Sequence, residues 1–126
     1  MGNLIDLKNK KILVVEDDEM NLIYLHQIFK MTQGSFTHAK NGRKALQIYE
    51  ADPKWDIIFM DLLLPDISGM EVIEKFREVD ATVPIIAQTA AKSPEEQQEA
   101  LHAGCTDLLL KPFTIDTFCK IVGKYI

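Results

Sequence analysis

Two acids stand side by side at Glu16 and Asp17, directly after the apolar run Ile12-Leu-Val-Val15, and a third, Asp61, directly follows Ile57-Ile-Phe-Met60. A hydroxyl, Thr89, follows Pro84-Ile-Ile-Ala-Gln88, and a cation, Lys111, follows Asp107-Leu-Leu-Leu110 and precedes Pro112. If the ends of these runs meet in space, Glu16, Asp17 and Asp61 bring three carboxylates together. At low dielectric they repel strongly. A hard divalent cation relieves that repulsion, and Mg²⁺ takes oxygen ligands in an octahedron while keeping several waters. With Mg²⁺ and Lys111 the charges balance, and such a site can accept a phosphoryl group on a carboxylate. Each signal alone has an ordinary explanation. Acids before a helix serve as caps and dipole partners, which suffices for Asp18 and Glu19. A Thr after a strand is commonly a turn residue, and Lys-Pro commonly marks a loop. Capping does not explain an acid at Asp61, and chemistry-bearing residues at four equivalent ends outweigh four separate coincidences.

The elements that must position these residues are legible as a repeating pattern. Five short runs begin near Lys11, Ser35, Trp55, Pro84 and Thr106, at intervals of 20 to 29 residues. Four are nearly continuous in Val, Ile and Leu, the pattern of strands buried on both faces of a parallel sheet. The second, Ser35-Phe-Thr-His-Ala-Lys40, alternates and belongs nearer an edge. Between the runs lie helical patterns: from a cap at Asp18 to about Met31, after Asn41-Gly42, after Ser68-Gly69, after Ser93-Pro94-Glu95-Glu96, and after Thr114. Pro94 at a first helical position and Glu95 and Glu96 against the dipole mark the fourth start strongly, and Gly104 ends that helix. Strand–helix repeated five times predicts a single α/β domain, a flavodoxin-like (βα)5 doubly wound parallel sheet of order 2-1-3-4-5. In that order the ends of strands one, three, four and five share one pocket. The predicted domain covers residues 10–126, with residues 1–9 as an N-terminal extension.

Composition narrows the classes. The chain has 126 residues, 47% apolar and 26% charged, with 14 basic against 19 acidic side chains. A net charge of −5 disfavours general binding to nucleic-acid phosphates. The longest apolar runs are far below a membrane span. Residues 1–6 read as neither a signal peptide nor, with Asp6 where Ser or Thr is needed, a myristoylation signal. Two cysteines, Cys105 and Cys119, form no disulfide or metal framework and read as free thiols in a reducing cytoplasm.

Together these segments resemble the receiver domain of two-component response regulators. The resemblance rests on Lys11-Ile-Leu-Val-Val-Glu-Asp-Asp18, Ile58-Phe-Met-Asp61-Leu-Leu-Leu-Pro65-Asp-Ile-Ser-Gly69, Pro84-Ile-Ile-Ala-Gln-Thr89-Ala90 and Gly104-Cys-Thr-Asp-Leu-Leu-Leu-Lys111-Pro112-Phe113, and runs from about Lys10 to the end. It implies that Asp61 is the phosphoacceptor in a Mg²⁺-dependent reaction with a phosphohistidine donor. Asp17 is then a direct metal ligand, Glu16 acts on the metal through water, and Leu63 lends a backbone carbonyl. It further implies that Thr89, with Ala90 after it, meets the phosphoryl group, that Lys111 pairs with Asp61, and that the bond to Pro112 is cis. The expected partner is a sensor histidine kinase or a histidine-phosphotransfer domain. Leu108 departs from the family, which often has an aromatic there, so the loop after strand four is expected to carry the signal alone. Asn21, Ala39-Lys-Asn-Gly42 and Ile85-Ile-Ala-Gln-Thr-Ala90 are similar to receivers fused to hybrid histidine kinases. The chain has room for one helix after Phe113, so the expectation is a stand-alone regulator or a receiver excised from a longer protein.

Two rival classes share the fold or the chemistry. A flavodoxin-type carrier needs a Ser/Thr/Gly-rich phosphate loop after the first strand, where this chain has four acids. An aspartyl-phosphate phosphatase of the haloacid-dehalogenase pattern needs Asp-x-Asp after the first strand, whereas here the candidate nucleophile follows the third and Leu63 replaces the acid. Finally, at 100° per residue the first helix carries two apolar stripes. Leu22, Leu25, Ile28 and Phe29 form the core face, and Met20, Ile23, Tyr24 and Met31 form a nearly opposite one, expected to be a docking patch beside the pocket.

Overall fold

A computed structural model describes residues 4–90 and 93–126. Five strands, β1 (Ile12–Val15), β2 (Thr37–Ala39), β3 (Ile57–Asp61), β4 (Ile85–Thr89) and β5 (Asp107–Leu110), alternate with five helices, α1 (Glu19–Met31), α2 (Gly42–Ala51), α3 (Gly69–Val79), α4 (Pro94–Ala103) and α5 (Ile115–Val122). The strands pair in parallel in the order β2-β1-β3-β4-β5, as the repeating pattern predicts. Part of the N-terminal extension, residues 1–3, lies outside the described residues. Of the remainder, Leu7 is fully buried in the core and its backbone N–H donates to the Thr32 carbonyl at 2.8 Å.

Each helix starts at a residue whose side chain satisfies a free backbone donor of the first turn. Asp18 accepts from the Met20 N–H, Asn41 from Lys44, Ser68 from Met70, Ser93 from Glu96 and Thr114 from Thr117. Gly104 stops α4 at a φ of 120°, a backbone conformation open to glycine. There the Arg77 guanidinium ties the end of α3 to β5, donating to the Gly104 and Asp80 carbonyls and to the Thr106 hydroxyl.

Alternation along the strands divides the core into two layers. On one face Leu13, Val15, Ile58, Met60, Ile85 and Ala87 pack under α2, α3 and α4, with Tyr49 stacked on Phe76 at 4.1 Å between centroids. On the other, Val14, Ile57, Phe59, Ile86 and Leu109 pack under α1 and α5. Phe29, Phe59 and Phe118 form an aromatic cluster there, with centroids 5.5–6.1 Å apart. Every residue of β1, β3 and β4 is buried. β2 is shorter than the run from Ser35 to Lys40, because as an edge strand it has one neighbour and only Ala39 faces the core.

Candidate functional site

The registers bring the carboxyl ends of the strands to one level. Val15 pairs with Met60, Asp61 with Gln88, and Thr89 with Leu110. Ladder-like bonds continue past the strand ends: Glu16 N–H to the Ala39 carbonyl at 3.0 Å, and Lys111 N–H to the Thr89 carbonyl at 2.9 Å. These bonds aim the side chains of four different segments into one place.

The centre of that place is Asp61, a buried carboxylate at the end of the central strand. One of its oxygens accepts from the Leu63 N–H at 3.0 Å, and the other lies 3.6 Å from the Lys111 ammonium. Lys111 also donates to Glu16 at 3.1 Å, so one cation is shared by two acids. Glu16 is fully buried, accepting also from the Asp18 N–H and from the Asn21 side-chain amide. Asp17 is exposed at the rim. Burial, followed by a hydrogen bond and repulsion from Glu16, pushes Asp61 up to about 7. That rise marks a carboxylate taken out of water first and set beside a second acid next.

An open cavity of about 690 Å³ lies over these groups. Asp17, Asp61, Leu63, Thr89, Ala90 and Lys111 line it, together with Asp18, Leu62, Met70 and Glu96. Thr89 is buried at the end of β4 and Ala90 is exposed beside it. The Leu63 side chain is 85% exposed at the cavity rim, and it is its backbone N–H that touches Asp61. The Lys111–Pro112 peptide is cis. Glu16, Asp17 and Asp61 can each offer a carboxylate oxygen within 4.8 Å of the others. An all-oxygen donor set of that size, with an unneutralised buried acid in it, fits a hard divalent cation.

The second stripe of α1 divides. Met20, Ile23 and Met31 are 73%, 53% and 54% exposed. Tyr24 corrects the expectation of a continuous docking patch. Its hydroxyl donates to the Phe113 carbonyl at 2.7 Å and its ring packs 5.6 Å from that of Phe113, so it joins α1 to the loop before α5. A tyrosine at that helical angle reads as surface from periodicity, whereas its partner lies 89 residues away. Met20 and Ile23 lie in the first turns of α1, directly after the cavity-lining Asp17 and Asp18. Met31 lies about 16 Å further along the helix axis.

Sequence reasoning also missed two contributors. Gln88 is fully buried beside Asp61, and its side chain accepts from Asn21 at 3.1 Å. A glutamine directly after the apolar Ile85-Ile-Ala87 in a fully buried strand is the signal that could have found it. Asp66 accepts from the Gly42 and Arg43 N–H groups, both at 2.9 Å, so the loop after β3 caps α2.

This arrangement, carboxylates and a lysine at the strand ends of a 2-1-3-4-5 sheet, coincides with a known family. The family model of the response regulator receiver domain matches residues 12–123, and the chain belongs to that family. It is 35% identical over 115 residues to the regulatory protein AtoC of Escherichia coli, covering 90% of this chain and 24% of that protein. The chain thus spans about a quarter of AtoC. It is 27% identical to the polar-differentiation response regulator DivK of Brucella anthropi, covering 93% of this chain and 96% of the relative. Among solved structures, the receiver domain of Ssk1 from Saccharomyces cerevisiae, crystallised with the histidine phosphotransfer protein Ypd1, superposes with a TM-score of 0.85 at 29% identity, covering 98% of this chain and 91% of that chain. The chain is therefore a receiver domain of two-component phosphorelay signalling.

Proposed function

We propose that Asp61 is the phosphoacceptor of this receiver and takes its phosphoryl group from a phosphohistidine. The observation that carries the reading is the buried Asp61 carboxylate with Lys111 at 3.6 Å and Glu16 and Asp17 alongside, open to one cavity. In the transfer an Asp61 oxygen forms a bond to phosphorus as the phosphorus–nitrogen bond of the donor breaks. The electron pair of that bond stays on the imidazole nitrogen. Lys111, released from its split pairing with Glu16 and Asp61, neutralises one phosphoryl oxygen. Thr89 and Ala90 line the cavity at the end of β4; in this reading they meet the remaining oxygens, and the loop after β4 follows them. Mg²⁺, for which Asp17, Asp61 and the Leu63 carbonyl are the proposed direct ligands and Glu16 acts through water, would supply charge neutralisation of the transferring group. The phosphoryl group brings about −1.5 to −2 charge to a site built around two shared acids, and that is the switch. The protein acts on itself rather than turning over a separate substrate. The two buried free thiols suit a reducing cytoplasm, where we place it. No described helix is long and apolar enough to cross a membrane.

The donor surface is proposed to be the start of α1, where Met20 and Ile23 expose apolar side chains next to the acidic cavity. A helix of a histidine kinase or phosphotransfer domain laid there brings its phosphohistidine to Asp61. Two experiments test this. Acetyl phosphate with Mg²⁺ should add one acid-labile phosphoryl group, detected by intact mass, and Asp61→Asn should abolish it. Normal labelling of that variant overturns the acceptor. Ile23→Glu should leave acetyl phosphate labelling intact while slowing transfer from a phosphohistidine donor. Equal transfer rates in wild type and variant overturn the docking surface.

A further inference from the structure

We infer that Asn21 and Gln88 are positioning residues that hold Glu16 in its metal-proximal orientation, with Gln88 acting through Asn21. The inference rests on the proposed Mg²⁺ site and goes beyond it to residues that touch neither metal nor phosphoryl group. The Asn21 amide nitrogen has two hydrogens and two acceptors: Glu16 Oε1 at 2.5 Å and Gln88 Oε1 at 3.1 Å. Three chain segments are thereby joined, the loop after β1, the first turns of α1 and strand β4. An amide is symmetric enough to turn over. Turned over, Asn21 would present its oxygen to a buried carboxylate. Glu16 and Gln88 both oppose this, because only the NH₂ end can serve two acceptors at once, and Gln88 holds that end in place from the side away from Glu16.

The other end of Gln88 shows what the residue is kept for. Its side-chain nitrogen is buried and has no hydrogen-bond partner among the described residues, and an unpaired buried donor is a cost to the fold. An apolar residue there would remove that cost and suit the run Ile85-Ile-Ala-Gln-Thr89 better. What only Gln88 offers is the acceptor that orients Asn21. Glu16, once freed from Asn21, keeps Lys111 as its remaining side-chain partner and is drawn toward it. Partners that orient a metal ligand without touching the metal typically contribute 10–100-fold in affinity.

The test separates positioning from stability by opposite signs. Mg²⁺ affinity is measured by isothermal titration calorimetry on the full chain, and stability by thermal melts in chelator. Gln88→Leu should melt at the same or a higher temperature than wild type without metal, yet bind Mg²⁺ about tenfold more weakly. Asn21→Ala should weaken Mg²⁺ binding at least as much. The double variant should match Asn21→Ala alone, because Gln88 has no effect once its intermediary is gone. Unchanged Mg²⁺ affinity in Gln88→Leu, or a double variant whose losses multiply, overturns the inference while leaving the metal site standing. A wild-type chain that takes up no Mg²⁺ overturns both.

Discussion

Asp61 gives the metal-free protein a pH dependence with a defined sign. An unfolded aspartate titrates near 3.9, whereas in the fold Asp61 is pushed up to about 7, first by burial and then by Glu16. The folded state binds this proton more tightly than the unfolded chain. The resulting stability is fully present below about pH 4 and is lost as pH rises through 7. Asp66, Asp80 and Asp107 are held below the usual carboxylate range by hydrogen bonds that outweigh the cost of burial, so their contribution is lost only in stronger acid. Melting temperature in chelator should therefore fall between pH 5 and 8, and Asp61→Asn should flatten that slope; an unchanged slope in the variant excludes Asp61 as its origin. Cys105 offers a second check at this scale. Burial pushes its thiol up to about 11, so alkylation at pH 8 should be slow until denaturant is added. The acids, Thr89 and Lys111 were legible in the sequence because each follows an apolar run. The pairing of Asn21 with Gln88 was not, because that bond spans 67 residues. The role of Tyr24 was hidden for the same reason: helical angle locates a side chain on its own helix and says nothing of the loop that comes to meet it.

At the scale of elements, the start of α3 lies against the end of β3 with no room to spare. A Cβ on Gly69 would stand 2.2 Å from the Asp61 carbonyl oxygen and 2.7 Å from the Leu62 Cα, both backbone atoms that cannot step aside. Gly69→Ala should cost about 1–3 kcal/mol in urea unfolding through overpacking, and should also weaken Mg²⁺ binding by shifting Asp61. Gly104→Ala provides the contrast. Its positive φ, and an Arg77 Cγ 2.8 Å from where the added methyl would stand, also destabilise, by about 1 kcal/mol or more, but at the opposite end of the sheet. Mg²⁺ affinity should survive there. If both variants bind Mg²⁺ alike, the close approach of α3 does not set the site. The five helix starts were legible because Asp18, Asn41, Ser68, Ser93 and Thr114 act within three residues of themselves. The cap that Asp66 adds to α2 was not, since it comes from a loop that only the sheet order brings near. The place of Leu7 in the core was equally hidden, because a lone Leu carries no periodicity.

Over the whole molecule, the clustered acids give the folded pocket a donor set that fits a divalent cation, which the unfolded chain lacks. At a hundredfold excess over Kd, Mg²⁺ should stabilise the protein by about 2.7 kcal/mol, which for a domain of this size is a rise of roughly 10 °C in Tm. Asp61→Asn should raise the metal-free Tm at pH 8 by removing one of the mutually repelling charges, and should lose most of the Mg²⁺ response. Thermal melts that show neither shift overturn the pocket. The architecture itself was legible because β1, β3 and β4 are buried on both faces and so are apolar throughout, while the extent of β2 was not, since a strand with one neighbour stops where pairing stops. That short strand has a consequence for how copies of the chain behave when crowded. Sheet margins with long unpaired backbone recruit strands from other molecules. Here one margin is three residues long with Thr37 and His38 exposed, and the other is a four-residue strand that opens on Asp107, engaged by Lys124 and Tyr125. Both margins are therefore poor templates for growth into ribbons or fibrils.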